Sequence, residues 1–420
     1  MRREIQSLAF VTDAGSFGGA ERYIVSMALA ARRRGIDPSI CWLPWPGTPG
    51  DVFDSARKAG IPVHVPGCLL TKSGRLRMFR RFLQATRPDG LIINASGRPS
   101  FWATCWLARY AGLPSVWVQQ MVDGQDHRQL PPKWFGGRVE GPQWWRVPQA
   151  LRHRAAAAAA SAVVALNAAD RERVARWQGV HRDRIRVVPH GVDCEAFRFD
   201  EAERQRLRAA WDLPEADSFV VGTSARLVDG KGVDLLIEAT ALLRGRGVPA
   251  VAVVAGQGPQ RKLLVELSQR LGIEHAVRFL GFVEDMPAFC SALDGFVLCS
   301  STESFGLALA EAMSCTRAVV GTPTAGARQQ IDHLCNGWQL QGFTAGELAD
   351  ALAVLQADPA LCRRLGEQGR EDVRRQFSID LTLERTLRAL RGPAGERSRL
   401  AWPGMREPFF AGMTAEDGGS

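Results

Sequence analysis

Two glutamates, Glu303 and Glu311, are the only charged residues between positions 300 and 315, in the segment "SSTESFGLALAEAMSC". The neighbours of Glu311 are alanine, leucine and methionine, so its carboxylate should be buried, where an unpartnered charge would cost several kcal/mol. Hydroxyl groups suit such a carboxylate, because it only accepts hydrogen bonds and a sugar presents donors in pairs. The two glutamates therefore indicate a site for a hydroxyl-rich ligand, with pairing to neighbouring protein amides as the structural alternative.

Two cations, Arg226 and Lys231, follow the apolar segment "SFVVGTSA" and precede the amphipathic segment "GVDLLIEA". A strand followed by a helix would place both side chains at the carboxyl edge of a parallel sheet, where doubly wound folds bind ligands. Two cations beside the free amides of a helix N-terminus suit a diphosphate. Ordinary surface charge at the end of a strand is the alternative.

A glycine-rich turn with Gly15, Gly18 and Gly19 lies between the first apolar segment and the first amphipathic one. It does not match the dinucleotide fingerprint G-x-G-x-x-G, because Phe17 stands where the second glycine is required. A nicotinamide cofactor is therefore not expected. The turn still allows an anion to approach the backbone at a helix N-terminus, although a plain strand-to-helix turn would have a similar sequence.

Short β-branched or apolar segments alternate with longer amphipathic ones along most of the chain, as in βαβ units with a parallel sheet. The length of 420 residues exceeds what one hydrophobic core usually organises. The pattern predicts an α/β protein with two doubly wound domains, residues 1–194 and 195–376, joined through the aperiodic segment "PHGVDCEAF". A last helix is predicted for residues 377–391, before a tail, residues 392–420, whose Gly- and Pro-rich composition is typical of flexible segments.

The segment 121–149 fits neither pattern and concentrates Trp134, Trp144 and Trp145 among proline and glycine. Loops of this length in compact domains are usually functional or disordered, and clustered tryptophan argues against simple disorder. The segment is predicted to be a lid or a membrane-facing loop, with a loop packed on its own aromatic residues as the alternative.

The formal net charge is +9, and basic residues recur with apolar ones at helical spacing in "GRLRMFRRF", residues 74–82. This segment could be a solvated helix face, attract an anionic substrate or contact anionic lipid headgroups. No nucleic-acid recognition module is found. Nine cysteines without metal-ligand spacing indicate reduced, buried thiols, and the N-terminus lacks the apolar run of a signal peptide. A cytoplasmic protein is therefore expected, with peripheral contact at the inner face of the cytoplasmic membrane as a further expectation.

Several longer motifs follow one another along roughly residues 8–391: "GGAER", "RIRVVPHGVDCEAF", "SARLVDGKGVDLLIEA", "AGQGPQRKLL", "FLGFVEDMPAFCSALDGFVLCSSTESFGLALAEAMSC" and "NGWQL". In this order the chain resembles the retaining nucleotide-sugar glycosyltransferases of the GT-B fold, the large family 4 group. The two glutamates with seven residues between them form a specific motif in this setting. The resemblance implies two Rossmann-like domains that face each other across a cleft, with the acceptor bound by the N-terminal domain and the nucleotide sugar by the C-terminal one.

The resemblance also implies a role for each matching residue. Arg226 and Lys231 would bind the donor diphosphate and stabilise the charge that develops on the leaving group. Glu311 would bind the ribose hydroxyls, and Glu303 would bind hydroxyls of the transferred sugar, so that Glu303, Arg226 and Lys231 would carry catalysis. The remaining donor contacts would come from Gly18, Gly19, Ser304, Phe305, Gly306 and Leu307. No metal is expected, since there is no D-x-D motif, and no cofactor is expected besides the nucleotide diphosphate-sugar itself.

The acceptor side departs from the family pattern. Many relatives carry a His after the fifth strand, whereas "SVWVQQMVDG" offers Gln119, Gln120 and Asp123, of which Gln120 and Asp123 are the acceptor-side candidates. A dedicated base is not required if the leaving phosphate oxygen receives the proton of the acceptor. Ala325 and Gln329 stand where relatives usually show Gly and Glu, a change that could alter which sugar is chosen.

The predicted function is a retaining, metal-independent transferase that moves a hexosyl group from a nucleotide diphosphate-sugar to a hydroxyl of a lipid-linked or polysaccharide acceptor. Such a reaction would belong to the biosynthesis of cell-surface glycans such as lipopolysaccharide. Two alternatives stay open on the sequence: a nucleotide-sugar-binding protein without transferase activity, and a sugar-nucleotide epimerase on the same fold.

Overall fold

The computed structural model describes residues 4–13, 18–43, 53–65, 72–94, 101–120, 146–213 and 217–391 of the chain. The predictions for Asp123, for most of the Trp-rich insertion and for the tail after residue 391 lie outside these described residues. The last residues of the predicted insertion are described, and they begin a helix at Arg146.

The N-terminal sheet has seven described strands, all parallel, in the order β3-β2-β1-β4-β5-β6-β7. Its strands are β1 (Ser7–Thr12), β2 (Asp37–Trp42), β3 (Val63–His64), β4 (Gly90–Asn94), β5 (Ser115–Gln119), β6 (Ala162–Ala165) and β7 (Ile185–Val187). The chain order reverses between β1 and β4, so the carboxyl edge of the sheet has a topological switch point there, where doubly wound folds bind ligands.

The C-terminal sheet has six described strands, also parallel, in the order β10-β9-β8-β11-β12-β13. Its strands are β8 (Phe219–Ser224), β9 (Ala250–Ala255), β10 (Val277–Gly281), β11 (Gly295–Leu298), β12 (Ala318–Gly321) and β13 (Trp338–Gln339). The switch point of this sheet lies between β8 and β11.

The helices that cover the two sheets connect successive strands, except for the last three, which follow β13. In the first domain they are α1 (Gly19–Arg33), α2 (Asp54–Lys58), α3 (Lys72–Thr86), α4 (Phe101–Tyr110), α5 (Arg146–Ala159) and α6 (Ala168–Gln178). In the second they are α7 (Glu201–Ala210), α8 (Val233–Gly245), α9 (Arg261–Arg270), α10 (Met286–Ala292), α11 (Leu307–Ser314), α12 (Ala325–Gln330), α13 (Ala345–Ala357) and α14 (Pro359–Gln376), followed by α15 (Ile379–Leu390).

The central strands are mostly apolar because helices cover both faces of each sheet. Every residue of β4, β5 and β9 is buried, as the near-continuous hydrophobic runs of a parallel sheet require. Polar side chains accept hydrogen bonds from the first backbone amides of many helices, for example Asp285 at α10 and Ser378 at α15. The fold predicted from the alternation of segments, two Rossmann-like α/β domains, is confirmed.

A continuous apolar cluster joins the two domains behind the cleft. The ring of Phe305, in the second domain, lies 5.6 Å from that of Phe377, which precedes α15. Val192 donates its amide to the Phe377 carbonyl (2.8 Å) and accepts from the Ile379 amide (2.9 Å). Helix α15 then packs against α1 and against strands β5 and β6 of the first domain. The chain therefore passes between the domains twice, and the second passage packs α15 of the C-terminal segment against the first domain.

Candidate functional site

The loop after β8 and the loop after β11 lie side by side at the switch point of the C-terminal sheet. The Ser301 amide donates to the Gly230 carbonyl (2.9 Å). Gly232 has a left-handed backbone (φ +64°), and a Cβ there would lie 2.2 Å from the Cys299 carbonyl oxygen. Only glycine allows this approach. The two loops are thus packed together by contacts of the protein itself.

This packing brings two of the predicted site residues into contact. Lys231 Nζ lies 2.8 Å from Glu303 Oε1, and the two side chains are about one-fifth exposed, at 21% and 20%. An ion pair with this exposure is worth at most about 1 kcal/mol. The pair can therefore separate readily, leaving an ammonium for a phosphate and a carboxylate for hydroxyl groups.

The segment between Glu303 and α11 is held from three sides. Asn167, in the first domain, donates its amide to the Ser304 carbonyl (2.5 Å), and the Gly326 amide donates to the Glu303 carbonyl (2.9 Å). Gln330 donates to the Phe305 carbonyl. Gly306, at φ +82°, then starts α11, and the Leu309 amide donates to the Gly306 carbonyl (2.9 Å), so that only the amides before Leu309 are without an acceptor in the helix. These amides are candidate donors to a ligand, and the roles predicted for the amides of Phe305, Gly306 and Leu307 stay predictions.

Glu311 is buried, as its apolar neighbours predict, and its partner comes from the other domain. Arg22 of α1 donates from Nη1 to both carboxylate oxygens of Glu311, at 2.9 Å and 2.7 Å. Burial raises the pKa of Glu311, and the Arg22 guanidinium opposes that rise. The partner of the Glu311 carboxylate is therefore an arginine and not a neighbouring protein amide, which was the structural alternative. From the sequence, Arg22 was not identified as a site residue, although it belongs to the "GGAER" motif.

The start of α1 faces the C-terminal wall with a second charged side chain, Glu21. Its carboxylate accepts from the backbone amides of Gly18 and of Glu21 itself, burial raises its pKa to about 7, and the nearby charge of Arg226 acts against that rise. The exposed Arg226 therefore lies close enough to α1 to interact across the cleft. A Cβ added at Gly19 would meet no described atom within 4 Å, so the described residues leave room for a ligand to approach this glycine.

The acceptor-side candidate Gln120 belongs to a chain of hydrogen bonds. Asn94 donates to the Ala20 carbonyl (3.3 Å), Gln120 donates to Asn94 Oδ1 (2.6 Å), and His190 Nε2 lies 2.6 Å from Gln120 Oε1. Because the Ala20 carbonyl can only accept, the direction of the chain is fixed and His190 carries its proton on Nε2. Burial lowers the pKa of His190 to about 3, so the ring is neutral and orients Gln120.

The neighbouring candidates are placed differently. Gln119 is buried and donates to Gln178 Oε1 (2.9 Å), so it faces the interior of the first domain. Ala325 begins α12, and Gln329 Oε1 is buried without a hydrogen-bond partner among the described residues. Six of the described cysteines are buried, but Cys335 is exposed, which corrects the expectation that all thiols are buried.

Comparisons with known proteins agree with this arrangement. The family model for Glycosyltransferase Family 4 matches residues 17–196, and the model for Glycosyl transferases group 1 matches residues 203–372. An alpha-D-kanosaminyltransferase from Streptomyces kanamyceticus is 31% identical over 303 residues, which cover 70% of this chain and 76% of that protein. The chain belongs to the group 1, family 4 glycosyltransferases.

Other glycosyltransferases align over shorter stretches. A GDP-mannose-dependent alpha-(1-6)-phosphatidylinositol monomannoside mannosyltransferase from Mycobacterium tuberculosis is 31% identical over 222 residues, or 51% of this chain. The chain spans 57% of that relative, little more than half its length. The structure of HepE from Anabaena in complex with UDP and glucose has a TM-score of 0.73 at 22% identity, and the match covers 93% of this chain and 100% of that one. The GT-B fold is confirmed.

Two further observations concern the described ranges only. No helix in them is both long and apolar enough to cross a bilayer. No group of three or more His, Cys, Asp or Glu side chains in them is arranged to hold a metal ion. Metal independence remains a prediction.

Proposed function

We propose that this protein is a retaining glycosyltransferase that moves a sugar from a nucleoside diphosphate-sugar to a hydroxyl of a lipid-linked or polysaccharide acceptor. The observation that carries the proposal is the contact of Lys231 with Glu303 at the switch point between β8 and β11, with Arg226 just after β8 and Glu311 in the helix that follows Glu303. Cations for a diphosphate and carboxylates for two sets of hydroxyl groups lie together there, opposite the glycine turn of α1.

In the proposed donor complex, Lys231 leaves Glu303 and binds the diphosphate together with Arg226. The first-turn amides of α11 bind the same anion or the adjoining sugar. Glu303 accepts hydrogen bonds from hydroxyls of the transferred sugar, and Glu311 accepts them from the ribose. Arg226, Lys231, Glu303 and Glu311 then each have a partner on the donor.

In the proposed reaction, the bond between the anomeric carbon and the leaving phosphate oxygen breaks, and a bond from that carbon to the acceptor oxygen forms on the same face. The acceptor hydroxyl passes its proton to the leaving phosphate oxygen. Negative charge grows on the diphosphate in the transition state, so Arg226 and Lys231 bind the transition state more tightly than the ground state. This is why neither a metal nor a separate base is part of the proposal.

The acceptor is proposed to reach the cleft from the first domain, beside Gln120. The amide of Gln120 is held by Asn94 and His190, so it can contribute a fixed hydrogen-bonding group at the place where many relatives carry His. The relatives support the acceptor class in general terms: the mycobacterial protein is named for a phosphatidylinositol mannoside acceptor. Its name gives GDP-mannose as donor whereas HepE was solved with UDP, so the base is left open in the proposal.

Contact with an anionic membrane, and hence a location at the inner face of the cytoplasmic membrane, is part of the proposal. Phe79 and Phe82 of α3 are buried in the domain, whereas Arg77 and Arg81 are exposed. The apolar side of this helix is therefore used in the core, and only an electrostatic contact is proposed for its exposed side. Arg77→Glu with Arg81→Glu should abolish sedimentation with vesicles containing anionic lipid and leave nucleotide affinity unchanged; equal sedimentation of the variant would contradict the membrane contact.

The enzyme assignment is tested in two steps. A thermal-shift screen with UDP, GDP, ADP and their sugar conjugates selects the donor, because a ligand that binds only the folded state raises the melting temperature. The selected donor is then incubated with lipid-linked and polysaccharide acceptors, and nucleoside diphosphate release and the anomeric configuration of the product are measured. Product with retained configuration, lost in Glu303→Gln, is expected. Binding without any transfer, or donor conversion without an acceptor, would contradict the proposal.

A further inference from the structure

The pair between Arg22 and Glu311 joins residues 289 positions apart and crosses the cleft. The Glu311 side chain is 2% exposed and that of Arg22 is 24% exposed, so the carboxylate is buried and the guanidinium reaches it from the cleft side. One guanidinium nitrogen serves both carboxylate oxygens. A carboxylate has about four acceptor directions, so two directions are left for other donors.

The position of Arg22 connects this pair with the predicted ligand. Arg22 lies in the first turn of α1, directly after the glycine turn that is expected to approach the donor diphosphate. Glu311 lies in α11, and it is the residue to which the ribose hydroxyls are assigned. The carboxylate is therefore already bound from the first domain at the place where the nucleotide should be bound by the second.

Stability alone is a weak explanation for this ion pair. Replacing a buried ion pair by well-packed apolar residues is often neutral or stabilising, because burying two charges has a large desolvation cost. Without Arg22, the charge of Glu311 would be uncompensated among apolar neighbours, so its pKa would rise still further and the protonated form would be favoured. A protonated carboxyl is a weaker acceptor for hydroxyl groups than a carboxylate. The pair thus favours the ionised form of Glu311, which a pair of hydroxyl donors requires.

We propose that Arg22 is a positioning residue of the nucleotide site, which holds the Glu311 carboxylate ionised and oriented so that the ribose is recognised by both domains together. The inference rests on the proposed function, since it takes Glu311 as the ribose-binding residue. It goes beyond that function by making nucleotide affinity depend on a side chain of the acceptor domain.

Two other roles for Arg22 predict different results. If Arg22 bound the diphosphate directly, its loss would weaken every ligand with that diphosphate, whether or not the ribose is complete. If the ion pair were only structural, its loss would lower the melting temperature without changing ligand preference. The comparison of a ribonucleotide with its 2′-deoxy analogue separates these roles from the proposed one.

The experiment measures dissociation constants by calorimetry for the nucleoside diphosphate, among UDP, GDP and ADP, that binds the wild type, and for its 2′-deoxy form. The variants are Arg22→Met, Arg22→Lys, Glu311→Gln and the double variant Arg22→Met/Glu311→Gln. Arg22→Met should weaken binding of the ribonucleotide about 10- to 100-fold, the range of a hydrogen bond to a charged group, and should weaken the 2′-deoxy form much less. Arg22→Lys should recover most of the affinity, because it restores the charge.

The double variant keeps the test decisive if Arg22→Met alone does not fold, since it contains no unpaired buried charge. The proposal predicts that its ribonucleotide affinity equals that of Glu311→Gln, because Arg22 acts through the Glu311 carboxylate. A further loss for both nucleotides would assign Arg22 to the diphosphate and overturn the proposal. An unchanged preference for the ribonucleotide in Arg22→Met would also overturn it.

A failure of the proposed function would look different. In that case the wild type would bind none of the three nucleoside diphosphates, or Glu311→Gln would bind the ribonucleotide as tightly as the wild type. If instead the wild type prefers the ribonucleotide, Glu311→Gln loses that preference and Arg22→Met keeps it, only the role of Arg22 is refuted.

Discussion

The two walls of the cleft obtain their candidate functional residues in different ways. On the C-terminal wall, Arg226, Lys231 and Glu303 come from two loops that follow neighbouring strands, and Gly232 packs one loop onto the other. On the N-terminal wall, the candidate residues and the side chains that hold them come from segments far apart in the chain: Arg22, Gln120, Asn167 and His190. The proposed donor side is therefore encoded in local motifs, whereas the opposite side depends on how the first domain packs against the second.

The largest effect is expected at the C-terminal wall, for Lys231→Met. Loss of one donor to the developing charge should lower kcat about 100- to 1000-fold, with a smaller change in the affinity for nucleoside diphosphate. Steady-state kinetics with the selected donor and acceptor measure the change in kcat. The matched control is Lys262→Met, because Lys262 is 87% exposed on α9 and pairs only loosely, at 3.9 Å, with Glu266. A loss of less than about tenfold in Lys231→Met would remove Lys231 from the catalytic role.

The packing of the C-terminal loops is tested by Gly232→Ala. Its left-handed backbone and the 2.2 Å approach to the Cys299 carbonyl predict a loss of at least about 2 kcal/mol in the free energy of unfolding, measured with urea. Gly19→Ala is the control on the other wall. The new methyl group there would contact no described atom, so stability should be unchanged while donor affinity falls. Equal stability of both variants would mean that the two walls do not differ in this way.

The contact between the walls is tested by Asn167→Ala. Asn167 caps α6 through the Asp170 amide, donates to the Asp170 carboxylate (2.8 Å) and also donates to the Ser304 carbonyl of the other domain. Loss of these three bonds should lower the free energy of unfolding by about 1–2 kcal/mol. Thr344→Ala removes a cap on α13 alone and should have about half this effect. If the two variants lose the same stability, the bond across the cleft contributes nothing.

The smallest effect is the pH dependence contributed by His190. Burial lowers its pKa to about 3 in the folded protein, below the usual value of 6.5, so the unfolded chain binds more protons as the pH falls. Its contribution to stability is complete above pH 6.5 and is lost progressively toward pH 3, by about 1 kcal/mol between pH 7 and pH 5.5. His190→Gln should remove this pH-dependent contribution to the free energy of unfolding. Glu21 contributes a pH dependence of the opposite sign, because its raised pKa favours the folded state at low pH. This contribution is the same in the wild type and in His190→Gln, so it cancels when their stabilities are subtracted. A constant difference in stability over this range would contradict a buried neutral His190.

Much of the fold could be predicted because its cause is local. The strand and helix segments follow from apolar runs and amphipathic periods, and boundaries such as the start of α11 after Gly306 were placed within one or two residues. The burial of Glu311 followed from its neighbours. Its partner did not, because nothing near Glu311 in the chain indicates an arginine 289 residues away. Likewise, His190 stands in a segment that predicts only a linker, and its contact with Gln120 depends on two strands ending at the same edge.

The sequence by itself determined the two-domain α/β architecture, the family and the residue types of the proposed donor side, because these depend on short-range periodicity and on motifs that each lie within one loop. The tertiary structure decided which charges are paired: Lys231 with Glu303 inside one domain and Arg22 with Glu311 across the cleft. The physical reason is the separation along the chain over which each kind of interaction acts. Backbone preferences and burial patterns act over a few residues, whereas an ion pair forms wherever packing brings opposite charges within about 4 Å, regardless of their separation in the chain.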